Sequence, residues 1–155
     1  MAKRYAYNTS ATQVKKRYAM IGSTATQVKK RYAMIGSTAT LVYTAEENIN
    51  PNLSFTSINT GQTPKTASYT VNNSAGFESM DLTVYSSENW DYRDTPDWFY
   101  HPAVYVDGTE YKLSAGTQTI TVSIKGKTSV VVKLSLAVWG GGIYASANVS
   151  NIRLY

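Results

Sequence analysis

The feature that most constrains the fold of this chain is a fourteen-residue segment that occurs twice in succession near the N-terminus. The residues ATQVKKRYAMIGST at 11–24 recur unchanged at 25–38, and Ala39 and Thr40 begin a third copy. A fixed-period repeat sets the architecture of the segment that contains it. Fourteen residues are too few for a helical-pair repeat of the tetratricopeptide or ankyrin type, but they suffice for two short strands and two turns.

The residue types inside the repeat favour β-structure. Residues 17–21 are strand formers that stop at Gly22 and Ser23, a turn signal, and residues 24–28 then alternate with β-branched side chains. A period of fourteen also equals two heptads. The heptad interpretation fails because Gly, Ser and Thr are poor helix residues and the apolar positions do not keep an a/d spacing. We therefore predict a β-repeat arm over residues 1–44.

One unit of this length cannot bury a core by itself. A repeat needs a neighbour, which is either the next repeat or the same repeat in another chain. Because the chain holds barely three units, we expect the arm to be an assembly element, formed by several chains together or docked on a partner.

Charge is divided unequally between the arm and the rest of the chain. Residues 1–40 contain eight Lys or Arg and no acid, whereas residues 41–155 contain seven basic and ten acidic residues. A basic arm on a mildly acidic domain predicts an acidic partner for the arm, either nucleic acid or an acidic protein surface. The alternative is that the KKR triplet only marks the solvated end of each repeat.

Nucleic acid is the less favoured of these partners. The run of Lys15, Lys16, Arg17 and Tyr18 puts basic groups beside an aromatic ring, which suits phosphate contacts and base stacking. However, the acidic remainder would repel a polyanion, and the sequence shows no known nucleic-acid module.

The composition predicts an all-β protein. Thirteen Tyr and three Trp accompany abundant Thr and Ser, which is typical of strands joined by polar turns. The chain has no Cys, so neither a disulfide nor a thiolate metal site can form. No apolar run reaches the length of a membrane span, and the N-terminus lacks a secretion signal, so we expect no membrane partner and synthesis in the cytoplasm.

The remainder of the chain, residues 45–155, is predicted to be a second domain of short strands without a helix. Asp107 and Gly108 give the strongest hairpin signal. Residues 128–139 are long and apolar, as expected of a central strand covered on both faces. The pattern predicts a β-sandwich and leaves open whether it is a jelly roll or immunoglobulin-like. The predicted strands are Leu53–Ile58 and residues 67–71, 80–86, 103–106, 110–113, 117–124, 128–139, 143–147 and 149–155, with a loop at 59–65.

Residues that could carry catalysis are scarce. His101 is the only histidine, and no Cys is available as a nucleophile. No nucleophile elbow, phosphate-binding loop, dinucleotide fingerprint, metalloprotease motif or calcium-binding helix–loop–helix motif is present. We therefore predict a protein that is not an enzyme and that needs neither cofactor nor metal.

Residues 88–101 hold two of the three Trp, two Tyr, one Phe, four acids and the histidine. Aromatic faces beside carboxylates suit the C–H faces and hydroxyls of sugars, so a glycan site is one interpretation. Three aspartates could also ligate Ca²⁺, although their spacing matches no standard loop. The third interpretation is a loop that folds its rings onto the sandwich or a neighbouring subunit. The residues assigned to glycan contact are Trp90, Asp91, Tyr92, Asp94, Trp98 and Tyr100.

The segment VKKRYAMIGSTATQ, followed by VKKRYAMIGSTATLVY, resembles the short KKxYxGxxGxA-type repeats of structural proteins in tailed bacteriophages of Gram-positive hosts. There such repeats commonly lie in tail proteins or other virion appendages, often next to a β-rich domain. The resemblance covers residues 3–43 and departs from the usual form at Gly22, where many relatives have two glycines. The C-terminal part more weakly resembles jelly-roll domains of phage decoration proteins, fibres and carbohydrate-binding modules.

The resemblance implies a non-enzymatic virion protein, a tail or fibre-like appendage assembled in the host cytoplasm with other virion proteins. Similarity to viral fibres implies a homo-oligomer, with a trimer favoured, whose sandwich faces outward toward a host-surface glycan. The alternatives are a capsid decoration or head-fibre protein and a free carbohydrate-binding module. The residues assigned to attachment are Lys15, Lys16, Arg17, Tyr18, Lys29, Lys30, Arg31 and Tyr32.

Overall fold

The computed structural model describes residues 18–21, 24–27, 30–35, 38–44, 46–91, 98–140 and 142–155. These residues contain thirteen strands and no helix, so the predicted all-β class is confirmed. Among them there is accordingly no helix that could span a membrane. The chain divides into two compact units between Glu46 and Glu47. The strands are β1 Tyr18–Ile21, β2 Thr24–Gln27, β3 Lys30–Ile35, β4 Thr38–Thr44, β5 Glu47–Ile49, β6 Leu53–Ile58, β7 Gly61–Asn72, β8 Ser79–Ser86, β9 Trp98–Val106, β10 Thr109–Lys112, β11 Gly116–Ser123, β12 Ser129–Gly140 and β13 Ala145–Leu154.

The repeat forms antiparallel hairpins with one shared register. In β1 and β2, Ile21 lies opposite Thr24, and in β3 and β4, fourteen residues further on, Ile35 lies opposite Thr38. The end of one copy therefore pairs with the start of the next in the same register at both junctions, residues 18–27 and 32–41. Both hairpins are two-stranded sheets.

The second unit consists of two antiparallel sheets packed on one core. One sheet has the strand order β10-β9-β12-β7, and the other has the order β11-β8-β13-β5, with β6 also paired to β13. From β6 onward, consecutive strands alternate between the two sheets except where the hairpin β9–β10 stays within one. This order is that of a jelly roll, which resolves the choice left open by the sequence.

Strands β5 and β6 are two halves of one edge strand. Ile49 lies opposite Ile152, and Leu53 lies opposite Val149, so both halves run antiparallel along the same partner β13. The interruption falls at residues 50–52, where Pro51 cannot donate to a ladder and Asn52 has a φ of 53°. With β5 and β6 taken as one, each sheet has four strands, the eight expected of a jelly roll.

The core lies between the two sheets and draws on both. Alternate residues of β12, from Val130 to Val138, are fully buried, as are Met80, Leu82 and Val84 of the facing sheet. This period-two burial is the ordinary result of a pleated strand with one face on the core. At its second half β12 is also buried on its other face, at Ser135 and Ala137, as predicted for a central strand.

Turn chemistry was predicted better than strand ends. Asp107 and Gly108 connect β9 to β10 with φ of 48° and 86°, which confirms the two-residue hairpin. The predicted loop at 59–65 was wrong, because β7 begins at Gly61 and pairs with β12 from that residue. The two strands predicted at the C-terminus are one strand, β13, with a bulge between Val149 and Asn151 on the β8 side.

Candidate functional site

The structure describes part of each residue set that was assigned a role. In the arm, Tyr18 begins β1, and Lys30, Arg31 and Tyr32 lie on β3. Residues 15–17 and Lys29 lie outside the described residues, as do Tyr92 and Asp94 of the proposed glycan set. Of Trp98 only the backbone, at the start of β9, is described.

Asp91 and Tyr100 bring the two ends of the aromatic segment together. The Asp91 N–H donates to the Tyr100 carbonyl at 2.9 Å, and the Tyr100 N–H donates back to the Asp91 carbonyl at 3.3 Å. The preceding residue, Trp90, donates its N–H to the Leu113 carbonyl at 2.8 Å. These three hydrogen bonds fix the backbone of Trp90 and Asp91 beside β9.

Trp90 and His101 stack on each other. Their ring centroids are 4.5 Å apart, and their planes are inclined by only 12°. Phe99 lies against the same imidazole, with centroids 4.6 Å apart, and reaches Trp139 at 6.0 Å. Phe99 and Trp139 are direct cross-strand partners on β9 and β12. We call these four side chains the aromatic row.

The aromatic row lies on the face of the sheet that points away from the core. On β9 the alternate residues Val104 and Val106 are in the core, so Phe99 and His101, of opposite parity, project from the other face. The outer-face positions next to the row hold small, buried residues: Ala137 lies opposite His101, and Ala103 lies opposite Ser135. The row is therefore the half-buried part of this face, next to small side chains that solvent does not reach.

Tyr100 does not belong to the aromatic row. It has the parity of Val104 and packs against the hydrophobic core. Burial raises the pKa of the Tyr100 hydroxyl, and the nearby carboxylates of Glu88 and Asp91 raise it further. The glycan set assigned from sequence is therefore divided between two faces, with Trp90 on the outer face and Tyr100 against the core.

Two lysines lie over aromatic rings on this outer face. Lys112 Nζ is 4.7 Å from the Trp90 ring centroid, and Lys133 Nζ is 4.2 Å from that of Tyr105. Both distances are within the range of cation–π attraction. The Tyr105 hydroxyl donates to Glu110 Oε1 at 2.6 Å, and this hydrogen bond is the main cause that raises the pKa of Tyr105 to about 12.

The imidazole of His101 is held toward its neutral form. Burial is the largest cause that lowers its pKa, and the charge of Lys112 acts in the same direction. Glu110 and Asp91 oppose the shift but do not reverse it. A neutral imidazole between Trp90 and Phe99 extends the apolar character of the aromatic row at neutral pH.

This arrangement is suited to non-covalent binding of a ligand rather than to a chemical reaction. Ring faces pack on apolar ligand surfaces, while Lys112, Lys133 and Glu110 supply polar groups at the margin. Over the described part of the chain, no group of three or more His, Asp or Glu is placed to hold a metal ion. The calcium interpretation depended on Asp94 and Asp97 as well as Asp91, and the first two lie outside the described residues.

A shallow depression lies elsewhere in the same unit, at the break between β5 and β6. Its volume is about 230 Å³. It belongs to the other sheet, so it does not extend the aromatic row. Its lining is mostly amide and hydroxyl side chains: Asn50, Asn52, Leu53, Ser54, Asn148, Val149 and Ser150.

The residues assigned from sequence did not include three members of the aromatic row: Phe99, His101 and Trp139. The alternation along residues 98–106 could have separated Phe99 and His101 from Tyr100. Nothing local could have found Trp139, because its place beside Phe99 depends on the pairing of β9 with β12.

In comparisons with known proteins, the chain matches no protein-family model and no curated protein sequence.

Proposed function

We propose that this chain is a non-enzymatic structural protein of a bacteriophage virion, a tail or fibre-like appendage. In this proposal the basic arm attaches the protein and joins it to further copies, as a trimer. The jelly roll faces outward and presents the aromatic row to a host-surface glycan. The proposal draws on the resemblance of the repeats to those of phage structural proteins.

The observation that carries the proposal is the pairing of the repeats. Each hairpin pairs the end of one copy with the start of the next, and among the described strands neither hairpin has a third strand beside it. A two-stranded hairpin is at best marginally stable in water, and three strands or a packed face are needed for independent stability. An arm of such hairpins therefore gains order by packing on other polypeptide, as an attachment element does.

The positive charge of the arm predicts the charge of the polypeptide on which it packs. Eight basic residues and no acidic ones precede residue 41. Such a segment is attracted to an acidic surface and repels its own copies unless that charge is compensated. We therefore expect the arm to dock on an acidic virion protein.

A second candidate function, that of a free carbohydrate-binding module, is favoured by the aromatic row. Phe99, His101 and Trp139 are half-buried and form a continuous apolar strip with Trp90. In this case the jelly roll would bind polysaccharide as a monomer, and the arm would have no partner in a particle.

Both functions are tested on phage particles purified from a culture that carries the gene. Peptide mass spectrometry should detect the chain in the particles in constant ratio to the major capsid protein. Gold-labelled antibody against the jelly roll should decorate one defined location without prior disruption of the particle. Recovery of the chain only in the particle-free supernatant, bound to polysaccharide, would favour the free module instead.

A further inference from the structure

The edges of the two sheets differ in how they are protected. Exposed edge strands carry unpaired N–H and C=O groups that can pair with another chain, and proteins usually block them with charge, proline, bulges or short length. Strand β10 has only four residues, which include Glu110 and Lys112. Strand β7 contains Pro64 and Lys65, and the β5–β6 edge is broken at residues 50–52.

The fourth edge, β11, has none of these features. Its eight residues, Gly116–Ser123, include neither a charged residue nor a proline. Its register with β8 runs without a shift from one end to the other. Among the described strands, β8 is its one partner, so its opposite side is an open edge.

The hydrogen-bond pattern shows which backbone groups face that open edge. The Ile124 N–H donates to the Glu78 carbonyl at 2.9 Å, which makes these residues a hydrogen-bonded pair at the end of the ladder. Because such pairs alternate with non-hydrogen-bonded ones, Gln118, Ile120 and Val122 turn their backbone groups toward β8. The residues between and beside them turn their N–H and C=O groups outward: Thr117, Thr119, Thr121 and Ser123.

We propose that β11 is an interface for a second copy of this chain, paired antiparallel with its own β11 about a two-fold axis at Ile120. In this register Thr119 lies opposite Thr121 of the second copy, and Thr117 lies opposite Ser123. All four are outward-facing, so the N–H groups of each copy meet carbonyls of the other. The two sandwiches then share one continuous sheet.

The side chains of β11 suit its own copy. Hydroxyl residues meet hydroxyl residues on the outer face, and Ile120 meets Ile120 on the inner face. The pairing brings no charged residue into the contact, because β11 contains none. Ile120 and Val122 are only half-buried at the margin of the core, and the pairing would cover them further.

A single introduced thiol tests this register. The chain has no cysteine, so Ile120→Cys places one thiol at the proposed axis. Residues opposite each other in a non-hydrogen-bonded pair have Cα atoms about 4.5 Å apart, which is within the range for a disulfide. Ser68→Cys is the matched control, because Ser68 is exposed on the edge strand β7.

Under mild oxidation of the full-length protein, we expect Ile120→Cys to form a disulfide-linked dimer faster than Ser68→Cys, by on the order of tenfold or more. Equal rates for the two variants, or no dimer of a folded Ile120→Cys protein, would overturn the proposal. Cross-linking of Ile120→Cys only to a different protein would overturn it as well, because the occupant would then be another chain.

A second pair of variants covers the case in which Ile120→Cys does not fold. A mixture of Thr119→Cys and Thr121→Cys proteins, altered at exposed positions, should form disulfides mainly between unlike copies, because residue 119 faces residue 121. A statistical mixture of like and unlike dimers, or no dimers, would contradict the register. The pairing involves β11 alone, so its test does not depend on the arm. Because a two-fold axis relates only two copies, the pairing would join jelly rolls of different trimers in the proposed assembly.

Discussion

Asp107 and Val131 hold each other by two hydrogen bonds across an interval of 24 residues. The Asp107 N–H donates to the Val131 carbonyl at 2.9 Å, and Asp107 Oδ1 accepts from the Val131 N–H at 2.8 Å. The other carboxylate oxygen accepts from Lys127 Nζ. The contact ties the turn between β9 and β10 to the start of the central strand β12.

This contact predicts a loss of stability in acid. The hydrogen bond from Lys127 is the main cause that lowers the pKa of Asp107, and the Val131 N–H lowers it further. Because the pKa is lower in the folded state, the carboxylate stabilises the fold above its unfolded pKa. That contribution is lost as the pH falls below about 4 through the folded pKa. Urea unfolding of wild type and Asp107→Asn at pH 7 and pH 3 measures it.

The expected difference at pH 7 is about 1 kcal/mol, the usual worth of one such hydrogen bond, and it should shrink at pH 3. Asn is the matched replacement because it tolerates the positive φ of the turn. A difference in the free energy of unfolding that is the same at both pH values would contradict the assigned role of the charge.

His101 predicts a second, separate pH window. Burial lowers its pKa in the folded state, so the unfolded chain binds a proton first. The stability that the neutral imidazole contributes is therefore fully present above about pH 6.5. It declines as the pH falls toward the folded pKa. His101→Phe keeps a ring beside Trp90 and Phe99 and should flatten the profile below about pH 6.5. A profile of thermal melting temperatures that is identical in wild type and variant would exclude this effect.

The C-terminal strand should be indispensable to the jelly roll. Ile152 and Leu154 are fully buried, and the Tyr155 N–H and carbonyl are both hydrogen-bonded to backbone groups at the start of β8. Ile152→Ala should lower the free energy of unfolding by about 2–5 kcal/mol. Ser150→Ala, exposed on the same strand, should change it by about 0.5 kcal/mol or less. Equal effects in chemical denaturation would contradict the burial of this strand.

The aromatic row should carry any glycan affinity of the protein. Trp90→Ala and Trp139→Ala should each lower affinity about tenfold or more, which is about 1.4 kcal/mol. Tyr144→Ala is the control, because Tyr144 is 58% exposed but lies outside the aromatic row. Binding to arrayed bacterial surface polysaccharides measures all three. Retained binding in both tryptophan variants would remove the aromatic row from the site.

The positive charge of the arm should be needed for incorporation into particles. Replacement of Lys30 and Arg31 by Gln should reduce the copies per particle, because the acidic docking surface would lose two counter-charges. The matched control replaces Lys65 and Lys125 of the jelly roll, which removes the same charge elsewhere. Quantitative mass spectrometry of purified particles gives the ratio. An equal loss in both double variants would point to net charge rather than to the arm.

The sequence predicted those parts of the fold that depend on neighbouring residues, such as turns and single strands. Asp107 and Gly108 favour positive φ by their own nature, so the hairpin could be placed from two residues. The length and apolar content of β12 likewise indicated a central strand. The sheet order could not be predicted, because it depends on pairs such as Leu82 with Ile152, which are seventy residues apart.

The candidate site was likewise predicted only in the features that depend on residues close along the chain. The concentration of rings in residues 88–101 was visible in the sequence, and Trp90 does lie in the aromatic row. The sequence placed Tyr100 with Trp90 because they are close along the chain. The pleat of β9 instead turns Tyr100 toward the core and His101 toward Trp90. Trp139 joins the row only through the register of two distant strands.

Electron cryo-microscopy of intact phage particles from the culture that carries the gene tests the central claim most directly. The account predicts jelly rolls in symmetric copies on the particle exterior, each joined to it through density that fits the repeat hairpins and lies against an acidic protein. Particles that lack this density, while the chain is found as a free monomer in the same culture, would contradict it.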